Sequence, residues 1–595
     1  MSEYFLKLSQ RSDVRLAGFG LSAVLAVYFG FLGLDVETAG RVVKRFGYYF
    51  MLATFALWVM ALWQLWCRRT AGGGLSGREW WLASLVIGLL SLVAINAEPF
   101  RSKVLYDEFA LQSTAYSMHY FRETAIVVRA YDVLGDFLPL DTYLDKRPNF
   151  FPFLISLIHD LTGYRTANAY GLNAVLLPVT LGLVYYLGRR LNGPRGGLLA
   201  VLLLGSLPLL GQAATSSSME LLNVAMILAV TALSAAYLRQ PGETRLSALV
   251  LAAVLLAQTR YESAIFVVPV ALIIALGWWR QRRVTLSVAA VLAPLLLLPS
   301  ALQNKVLSNS RWLWELRDNQ ETRFSLDYFA GNLAGAAKFF FNTGPRLANS
   351  WPLAVLGFIA LGYVLWRLRR ARPLLTGENP DHLVLFLFGL GMVTNTVLIM
   401  FYYWSSFEDP ITSRFSLPFH LGLAFAVVVL AARLDRRIPA SLALLGGLGL
   451  FALVSTGHQA QHLYSHLGID EVEWEKRYVA ALPPGERLII SNKSTLPWLL
   501  VNIPSILTTR ARIVGDRLKY QVEQGGIFRE ILVLQSLRPT TVDGDHQLLP
   551  EDRLPPGFDL ELVTEKRFGT KIARISRLVA VNPPPTGANP AAVAP

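Results

Sequence analysis

The chain has 595 residues, of which 53% are hydrophobic and 16% are charged. A soluble domain carries about 25% charged residues, so this composition excludes an ordinary soluble enzyme. Lys and Arg exceed Asp and Glu by 14, but these basic residues form no single soluble stripe, so nucleic acid is not an expected partner. The single cysteine, Cys67, excludes an internal disulfide and a thiolate metal site.

Apolar runs recur along the first three quarters of the sequence. A helix needs about 20 apolar residues to cross the hydrocarbon core, and these runs predict an all-α polytopic membrane bundle with about thirteen transmembrane helices. The predicted spans are 14–35, 46–66, 79–97, 170–188, 196–212, 219–238, 246–259, 263–279, 284–302, 351–366, 382–403, 415–432 and 438–457.

Basic residues concentrate on every second connection between these spans. The short turns on the other side, 213–218, 260–262 and 404–414, hold only Arg260 and Arg414. Lys and Arg resist translocation, so this asymmetry predicts a cytoplasmic N-terminus in a multi-pass plasma membrane protein, with a bacterial inner membrane as the expected location. The first hairpin, with Arg41 and two further cations, is an exception to the rule.

The spans divide the chain into three predicted regions. Residues 1–78 form two N-terminal transmembrane helices, and residues 79–457 form a membrane module with outside loops at 98–169 and 303–350. Residues 458–595 are long enough for a small soluble domain on the extracytoplasmic side.

Within this C-terminal region, alternating strand-like and helix-like runs predict an α/β domain. The runs 487–491, 529–535 and 571–579 are strand-like, and 494–507 is helix-like. The last dozen residues are rich in Pro and Ala, which predicts a disordered tail.

Two charged motifs follow the third predicted span. Asp107 and Glu108 come first, and by themselves they are typical of a helix start. Residues 108–131 have the spacing of an interfacial amphipathic helix. Asp145, Lys146 and Arg147 then precede a second short apolar helix that we expect to end near residue 161. Cations at a water–lipid boundary can bind a lipid phosphate, although any basic residue there can also anchor the membrane.

The order of these motifs resembles the GT-C glycosyltransferases, and most closely the group of protein O-mannosyltransferases and lipid A aminoarabinose transferases. Asp107 and Glu108 match the acidic pair of that group. Asp145, Lys146 and Pro148 match its acid-Lys-Pro-Pro element, with Arg147 in place of the first proline. The likeness continues in residues 185–193 and 414–418, and it covers roughly residues 79–457.

The resemblance implies an integral membrane enzyme that moves a sugar, with inversion, from a polyprenyl-phosphate carrier to an acceptor hydroxyl on the extracytoplasmic face. Asp107 would be the general base. Its implied partners are membrane lipid, the lipid-linked donor and a glycan, lipid or protein acceptor. The remaining candidates are Glu108 and Asp145 for catalysis, Lys146, Arg147, Arg260 and Arg414 for the donor phosphate, and Glu262, Tyr106 and His119 for substrate contact.

No cofactor is expected to be required. His458, His462 and His466 share one helix face, but a straight helix separates the outer two by about 12 Å, so at most two of them and Asp470 would meet one metal ion. We favour a solvated or lipid-facing helix extension as the explanation of these histidines. The outside loop at 303–350 mixes aromatic and polar residues and would either cover the donor or simply pack.

Three other functions remain open from the sequence. A glycan or O-antigen polymerase would rest on arginines in large outside loops, and a lipid-linked sugar transporter or flippase would show internal repeats and charges within its spans. A glycosyltransferase-like protein that only binds a lipid-linked sugar would retain the same motifs. The charges of this chain lie mainly at the span ends, which favours chemistry at a membrane surface.

Overall fold

A computed structural model describes most of the chain, in residues 12–68, 76–133, 136–309, 322–344, 347–370, 380–459, 467–483, 485–539 and 546–582. The chain divides into two compact units. The first, here called the helical unit, consists of Met1–Lys103, Met118–Thr124 and Lys146–Tyr464. The second, the mixed unit, consists of Val104–Ser117, Ala125–Asp145 and Ser465–Pro595.

The membrane module and its connections are almost entirely helical. In chain order the helices are α1 (Ser12–Val27), α2 (Val36–Cys67), α3 (Gly77–Ala97), α4 (Leu105–Phe121), α5 (Phe150–Thr162), α6 (Ala167–Gly205), α7 (Pro208–Ala214), α8 (Glu220–Arg239), α9 (Glu243–Leu256), α10 (Val267–Gln281), α11 (Val288–Leu296), α12 (Leu298–Ser308), α13 (Asp327–Phe340), α14 (Trp351–Arg370), α15 (Pro380–Ile399), α16 (Leu417–Leu434) and α17 (Ala440–Gln459).

Side-chain caps fix where several of these helices begin. The Asp35 carboxylate accepts a hydrogen bond from the Thr38 backbone N–H at 2.8 Å ahead of α2. Ser76 and Glu79 form a reciprocal capping box at the start of α3. Such caps satisfy backbone N–H groups that have no partner within the helix, so they define the helix ends that the apolar runs leave open.

Within the described residues, ten helices are long and apolar enough to cross a membrane. Every predicted span coincides with a helix, but the predicted count of about thirteen is not confirmed. Two predicted spans, 170–188 and 196–212, fall mainly on α6, while α9 has only 14 residues and α17 includes only a shorter apolar stretch. The structure is therefore a polytopic helical membrane protein.

A sharp break divides α6 into two arms. Asn192 leaves the helical conformation, and Gly193 has φ 59° and ψ −162°, a backbone conformation that a residue with a Cβ rarely adopts. The arms then pack closely, because a Cβ on Gly188 would lie 2.7 Å from the carbonyl oxygen of Gly196. Glycine thus provides both the reversal and the close contact.

The prediction of one amphipathic helix over 108–131 is right only up to Phe121. Arg122 has φ 57° and ends the helix, and β1 (Ile126–Val133) pairs antiparallel with β2 (Asp136–Tyr143). The run Ile126-Val127-Val128 explains the change, since β-branched residues favour strands. Residues 108–118 are all buried, so α4 has no exposed polar face along this stretch.

The C-terminal part of the mixed unit is an α/β domain, as predicted. The elements are α18 (Leu467–Ala481), β3 (Arg487–Ser491), α19 (Leu496–Leu499), β4 (Ser505–Leu507), α20 (Thr508–Ile513), α21 (Gly515–Gln524), β5 (Glu530–Pro539), β6 (His546–Gln547), β7 (Phe558–Phe568) and β8 (Lys571–Val581). The sheet has the order β4-β3-β5-β8-β7, with β6 paired to β5. β3 is parallel to β4 and β5, whereas β8 is antiparallel to β5 and β7.

Helices cover both faces of this sheet. Ile490 packs with Ala511 and Leu518 of the helices that follow β4, and its neighbour Ile489 packs with Val479 of α18 on the opposite face. Successive residues of a strand point to opposite faces, which explains this division. The predicted helix over 494–507 is wrong beyond Leu499, because β4 occupies its end and the longer helices start later. The predicted disordered tail lies outside the described residues.

Candidate functional site

Three turns of the helical unit bring four charged side chains together. Glu220 is the first residue of α8, Arg260 follows α9, and Glu262 begins a 3₁₀ turn that leads into α10. Arg414 lies in a second 3₁₀ turn ahead of α16. Pro418 at the start of α16 favours a helix beginning there, because its missing N–H would be unsatisfied at that position anyway.

Glu220 is the centre of this cluster. The guanidinium groups of Arg260 and Arg414 both contact its Oε1, the latter at 2.8 Å. Arg260 also donates from Nε to Glu262 Oε1 at 2.7 Å. Glu220 and Arg260 are only 2% and 4% exposed, so the ion pairs are shielded from water and are much stronger than surface pairs.

The same arginines lie against an aromatic ring. The guanidinium carbons of Arg260 and Arg414 are 4.8 Å and 5.3 Å from the centroid of Phe415. Burial works to lower the pKa of Arg260, but Glu262 and Glu220 outweigh burial and raise that pKa. The cations are therefore held charged and in fixed positions. Polar and apolar residues of this cluster line a cavity of about 10 Å³, which has room for about one water molecule.

Hydrogen bonds to Asn223 hold the Arg260 turn on α8. The side-chain oxygen of Asn223 accepts hydrogen bonds from Thr259 Oγ1 at 2.8 Å and from Ser263 Oγ at 2.6 Å. These two donors flank Arg260 in the sequence, so the turn cannot rotate without breaking buried hydrogen bonds. The position of the guanidinium group is thus determined by the backbone as well as by its ion pairs.

The segment with Lys146 and Arg147 is attached to this turn. The backbone N–H of Phe150 donates to the carbonyl of Gln258 at 3.2 Å, and Gln303 Nε2 donates to the carbonyl of Arg147 at 3.0 Å. Lys146 and Arg147 are both half-buried. A backbone hydrogen bond therefore ties the start of α5, three residues after Arg147, to the chain two residues before Arg260.

The acidic candidates belong to the mixed unit and differ in environment. The Glu108 carboxylate accepts a hydrogen bond from the Val104 backbone N–H at 2.8 Å and is fully buried, which is a helix-capping arrangement. Asp107, one residue earlier, is half-buried, and Tyr106 is 47% exposed. Asp145 is 5% exposed. Asp107 is thus better placed than Glu108 to meet a substrate.

His119 belongs to a separate cluster of the helical unit. Its Nδ1 lies 2.6 Å from Asp160 Oδ1, and Arg122 Nη1 donates to the other oxygen of Asp160 at 2.7 Å. Burial, together with His119, lowers the pKa of the neighbouring His159 to about 4. The cluster fastens the end of α4 to α5, and His119 has a structural contact there.

The histidine motif and the outside loop lie partly outside the described residues. The structure describes neither His462 and His466 nor residues 310–321, and it does not describe the side chain of His458. Among the described residues, no group of three or more His, Cys, Asp or Glu side chains is arranged to hold a metal ion.

Sequence reasoning missed Glu220 and Asp160. Glu220 begins an apolar helix, where an acidic residue is usually a cap, and Asp160 lies within a short apolar helix. For Glu220, the sequence did offer a signal. This acidic residue follows the serine run Ser216–Ser218 on the same predicted outside face as Arg260 and Arg414.

Comparison with known proteins identifies part of the membrane module. Residues 146–302 match the profile of the family described as dolichyl-phosphate-mannose-protein mannosyltransferase. The resemblance seen in the sequence is confirmed by this match. The matched segment begins at Lys146 and includes Arg147, Arg260 and Glu262. It supports a membrane glycosyltransferase. No curated protein is detectably similar in sequence.

Solved structures of similar topology are distant. ArnT from Cupriavidus metallidurans, bound to undecaprenyl phosphate, is 13% identical over 84% of this chain and 98% of its own, with a TM-score of 0.49. An oligosaccharyltransferase from Archaeoglobus fulgidus, in complex with Zn and sulfate, is 11% identical over 76% of this chain and 68% of its own, with a TM-score of 0.42. Likenesses this weak carry no functional argument.

Proposed function

We propose that this protein transfers a sugar from a polyprenyl-phosphate-linked donor to an acceptor hydroxyl at the extracytoplasmic face of the membrane, with inversion. The matched family is named for a lipid-phosphate-linked sugar donor. The observation that carries the proposal is the buried arginine pair, Arg260 and Arg414, fixed on Glu220 and connected through Gln258 to the segment with Lys146 and Arg147.

Cations in this arrangement have a defined chemical task. When the bond between the anomeric carbon and the phosphate oxygen breaks, the donor phosphodiester becomes a phosphomonoester and gains negative charge. Lys146 and Arg147, which are half-buried, would contact the phosphate and stabilise that charge as it develops in the transition state, while Arg260 and Arg414 would act on it from their buried positions beside Glu220. Arginine is suited to this task because its planar fork binds phosphate through two parallel hydrogen bonds.

Asp107 is the proposed general base. It would take the proton of the acceptor hydroxyl while the oxygen forms a bond to the anomeric carbon on the face opposite the departing phosphate. Glu108 caps the same helix and would hold Asp107 in position. Asp145, adjacent to Lys146, would orient that cation or the acceptor.

The base is tested by the variant Asp107→Asn in the purified full-length protein. The measurement is release of labelled sugar from the lipid-linked donor, with a panel of polyprenyl-phosphate-linked sugars as donors and a panel of hydroxyl-bearing glycans, lipids and peptides as acceptors. We expect turnover to fall about 10²- to 10⁴-fold, with binding of undecaprenyl phosphate unchanged by native mass spectrometry. Asp141→Asn is the matched control, because Asp141 forms an exposed ion pair with Arg129 on the β1–β2 hairpin.

The phosphate site is tested by Lys146→Met, with undecaprenyl phosphate as the probe. Loss of one charge-assisted contact should weaken binding about 10- to 100-fold. Lys338→Met is the control, since the Lys338 side chain is 68% exposed and forms a surface ion pair with Glu408. Full turnover in Asp107→Asn would contradict the role of Asp107 as general base. Unchanged binding of undecaprenyl phosphate in Lys146→Met would contradict the role of Lys146 in phosphate binding. No transfer from any donor by the unaltered protein would contradict the enzyme proposal.

A further inference from the structure

A ligand-sized space lies within the helical unit, and it shares no lining residue with the small cavity beside Glu220. Helices α14, α15 and α16 enclose a groove of about 420 Å³, a volume typical of small-molecule sites. All three helices are long and apolar enough to cross a membrane. The groove is lined mainly by leucine, phenylalanine and valine side chains. Its contents must therefore be largely apolar.

The groove also opens sideways between the helices. Leu365 and Leu390 both line it and are 57% and 53% exposed. At Gly389, an added Cβ would meet no atom within 4 Å. The space is thus continuous with the outer surface of the bundle, so a lipid chain can enter from the bilayer.

Charge is confined to one end of the groove. Arg367, in the last turn of α14, and His382, in the first turn of α15, both line it. Asp381 beside them is 8% exposed and is paired with Arg239 at 3.4 Å. Among the described residues, Arg367 has neither an ion-pair nor a hydrogen-bond partner. The end of the groove is therefore basic.

The surrounding residues are those found where a helix leaves a bilayer. Arg369 and Arg370 share the last turn of α14 with Arg367, and the guanidinium carbon of Arg370 lies 4.8 Å from the centroid of the Trp366 ring. Aromatic and basic residues of this kind mark a membrane interface. The distribution of positive charge predicts the cytoplasmic leaflet for this end, where basic pockets between helices bind anionic headgroups.

We propose that this groove binds one anionic phospholipid, with an acyl chain along α14–α16 and the phosphate at Arg367 and His382. The apolar groove fits the chain and the basic end fits the headgroup, so two independent features select the same class of ligand. The site is separate from the proposed donor site and does not depend on the proposed function.

The test is lipid binding to the delipidated full-length protein, measured by native mass spectrometry. The probes are dioleoyl phosphatidylglycerol and dioleoyl phosphatidylcholine, which have the same chains and differ in net headgroup charge. We expect tighter binding of phosphatidylglycerol. Arg367→Gln should weaken that binding about fivefold and leave phosphatidylcholine unaffected. Arg369→Gln is the matched control, because it removes the same charge from the same helix end but does not line the groove.

A second variant independently tests whether the groove holds the acyl chain of the lipid. Gly389→Leu fills the groove and should reduce binding of both lipids. Gly362→Leu is its control, since a Cβ there also meets no atom within 4 Å but lies outside the groove. The proposal is overturned if the two lipids bind equally or if the two arginine variants have equal effects. It is also overturned if undecaprenyl phosphate displaces phosphatidylglycerol competitively, because the groove would then belong to the donor carrier.

Discussion

Two carboxylates, one in each unit, are almost equally buried but are neutralised in different ways. Glu220 in the helical unit is 2% exposed and contacts the guanidinium groups of two arginines. Glu475 in the mixed unit is 3% exposed and shares its surroundings with a second acidic residue, Glu471. The nearby cation, Lys493, contacts Glu471. Burial alone therefore does not determine whether a carboxylate is charged.

This difference has a physical consequence for each site. A buried carboxylate needs opposite charge to remain ionised, and Glu220 has it from two fixed cations. Burial raises the pKa of Glu475 to about 7, Lys493 opposes this shift, and Glu471 adds to it. The helical unit thus maintains a permanently charged cluster, whereas the mixed unit contains a group that takes up a proton near neutral pH.

Neutralising Glu220 should produce the largest effect. Glu220→Gln leaves two buried arginines without their shared counter-charge, so we expect the free energy of unfolding to fall by about 3–5 kcal/mol. Thermal denaturation of the full chain in detergent measures this. Glu37→Gln is the control, because the Glu37–Arg41 pair is exposed and 3.9 Å long, and its loss should change stability by less than about 1 kcal/mol. Similar melting temperatures for both variants would contradict the prediction.

Glu475 should make the mixed unit less stable as the pH rises. The folded form binds a proton more tightly than the unfolded form, so stability is greatest below the ordinary pKa of 4.5 and declines up to about pH 7. The total decline should be roughly 3 kcal/mol. Hydrogen-exchange protection of β3 and α18, corrected for intrinsic exchange rates, measures it between pH 5 and pH 8.

The matched variants for this pH dependence lie on one helix. Glu475→Gln should remove the slope, because the side chain no longer titrates. Glu473→Gln should retain it, since Glu473 is one-third exposed and contacts Lys476. Equal slopes in the two variants would show that another group is responsible.

Removing one arginine from the Glu220 cluster should have a smaller effect than removing Glu220. Arg414→Gln leaves Arg260 in contact with the carboxylate, so we expect a loss of about 2 kcal/mol. The same thermal denaturation applies, with Arg41→Gln as the exposed control. A loss equal to that of Glu220→Gln would mean that the two arginines act only as a pair.

The smallest effect should come from Lys493. Lys493→Met removes the cation that opposes protonation of Glu475, so the midpoint of the pH-dependent exchange should rise by less than about one unit. Lys519→Met is the control, since Lys519 contacts Glu523 on α21. A midpoint that falls, or that moves equally in both variants, would contradict the role given to Lys493.

Much of the architecture was predictable because it depends on local patterns. Every predicted span falls on a helix, and the strand predicted at 487–491 coincides with β3. The failures have a shared cause. The helix predicted over 108–131 stops at Phe121 because β1 finds a partner strand in β2, and the helix predicted over 494–507 yields to β4, which pairs with β3. Strand pairing joins segments that a local window does not compare.

The candidate site was likewise only partly predictable from the sequence. The motif with Lys146 and Arg147 was recognisable from its residues and order, and the family match begins there. A position in short outside turns makes candidates of Arg260, Glu262 and Arg414, and the structure brings them together around Glu220. Glu220 was missed because an acidic residue at the start of a helix is ordinarily a cap. The side chains of His458 and His462 lie outside the described residues, so the expectation of a helix extension without a metal ion stays a prediction.

The sequence by itself determined that this is a polytopic membrane protein and where its apolar helices lie, because length and apolarity are properties of single segments. Only the tertiary structure decided that one carboxylate, Glu220, holds Arg260 and Arg414 together. Those three residues come from different parts of the chain, and their low exposure makes the ion pairs strong. Side chains distant in sequence gain a common role only when folding removes them from water together.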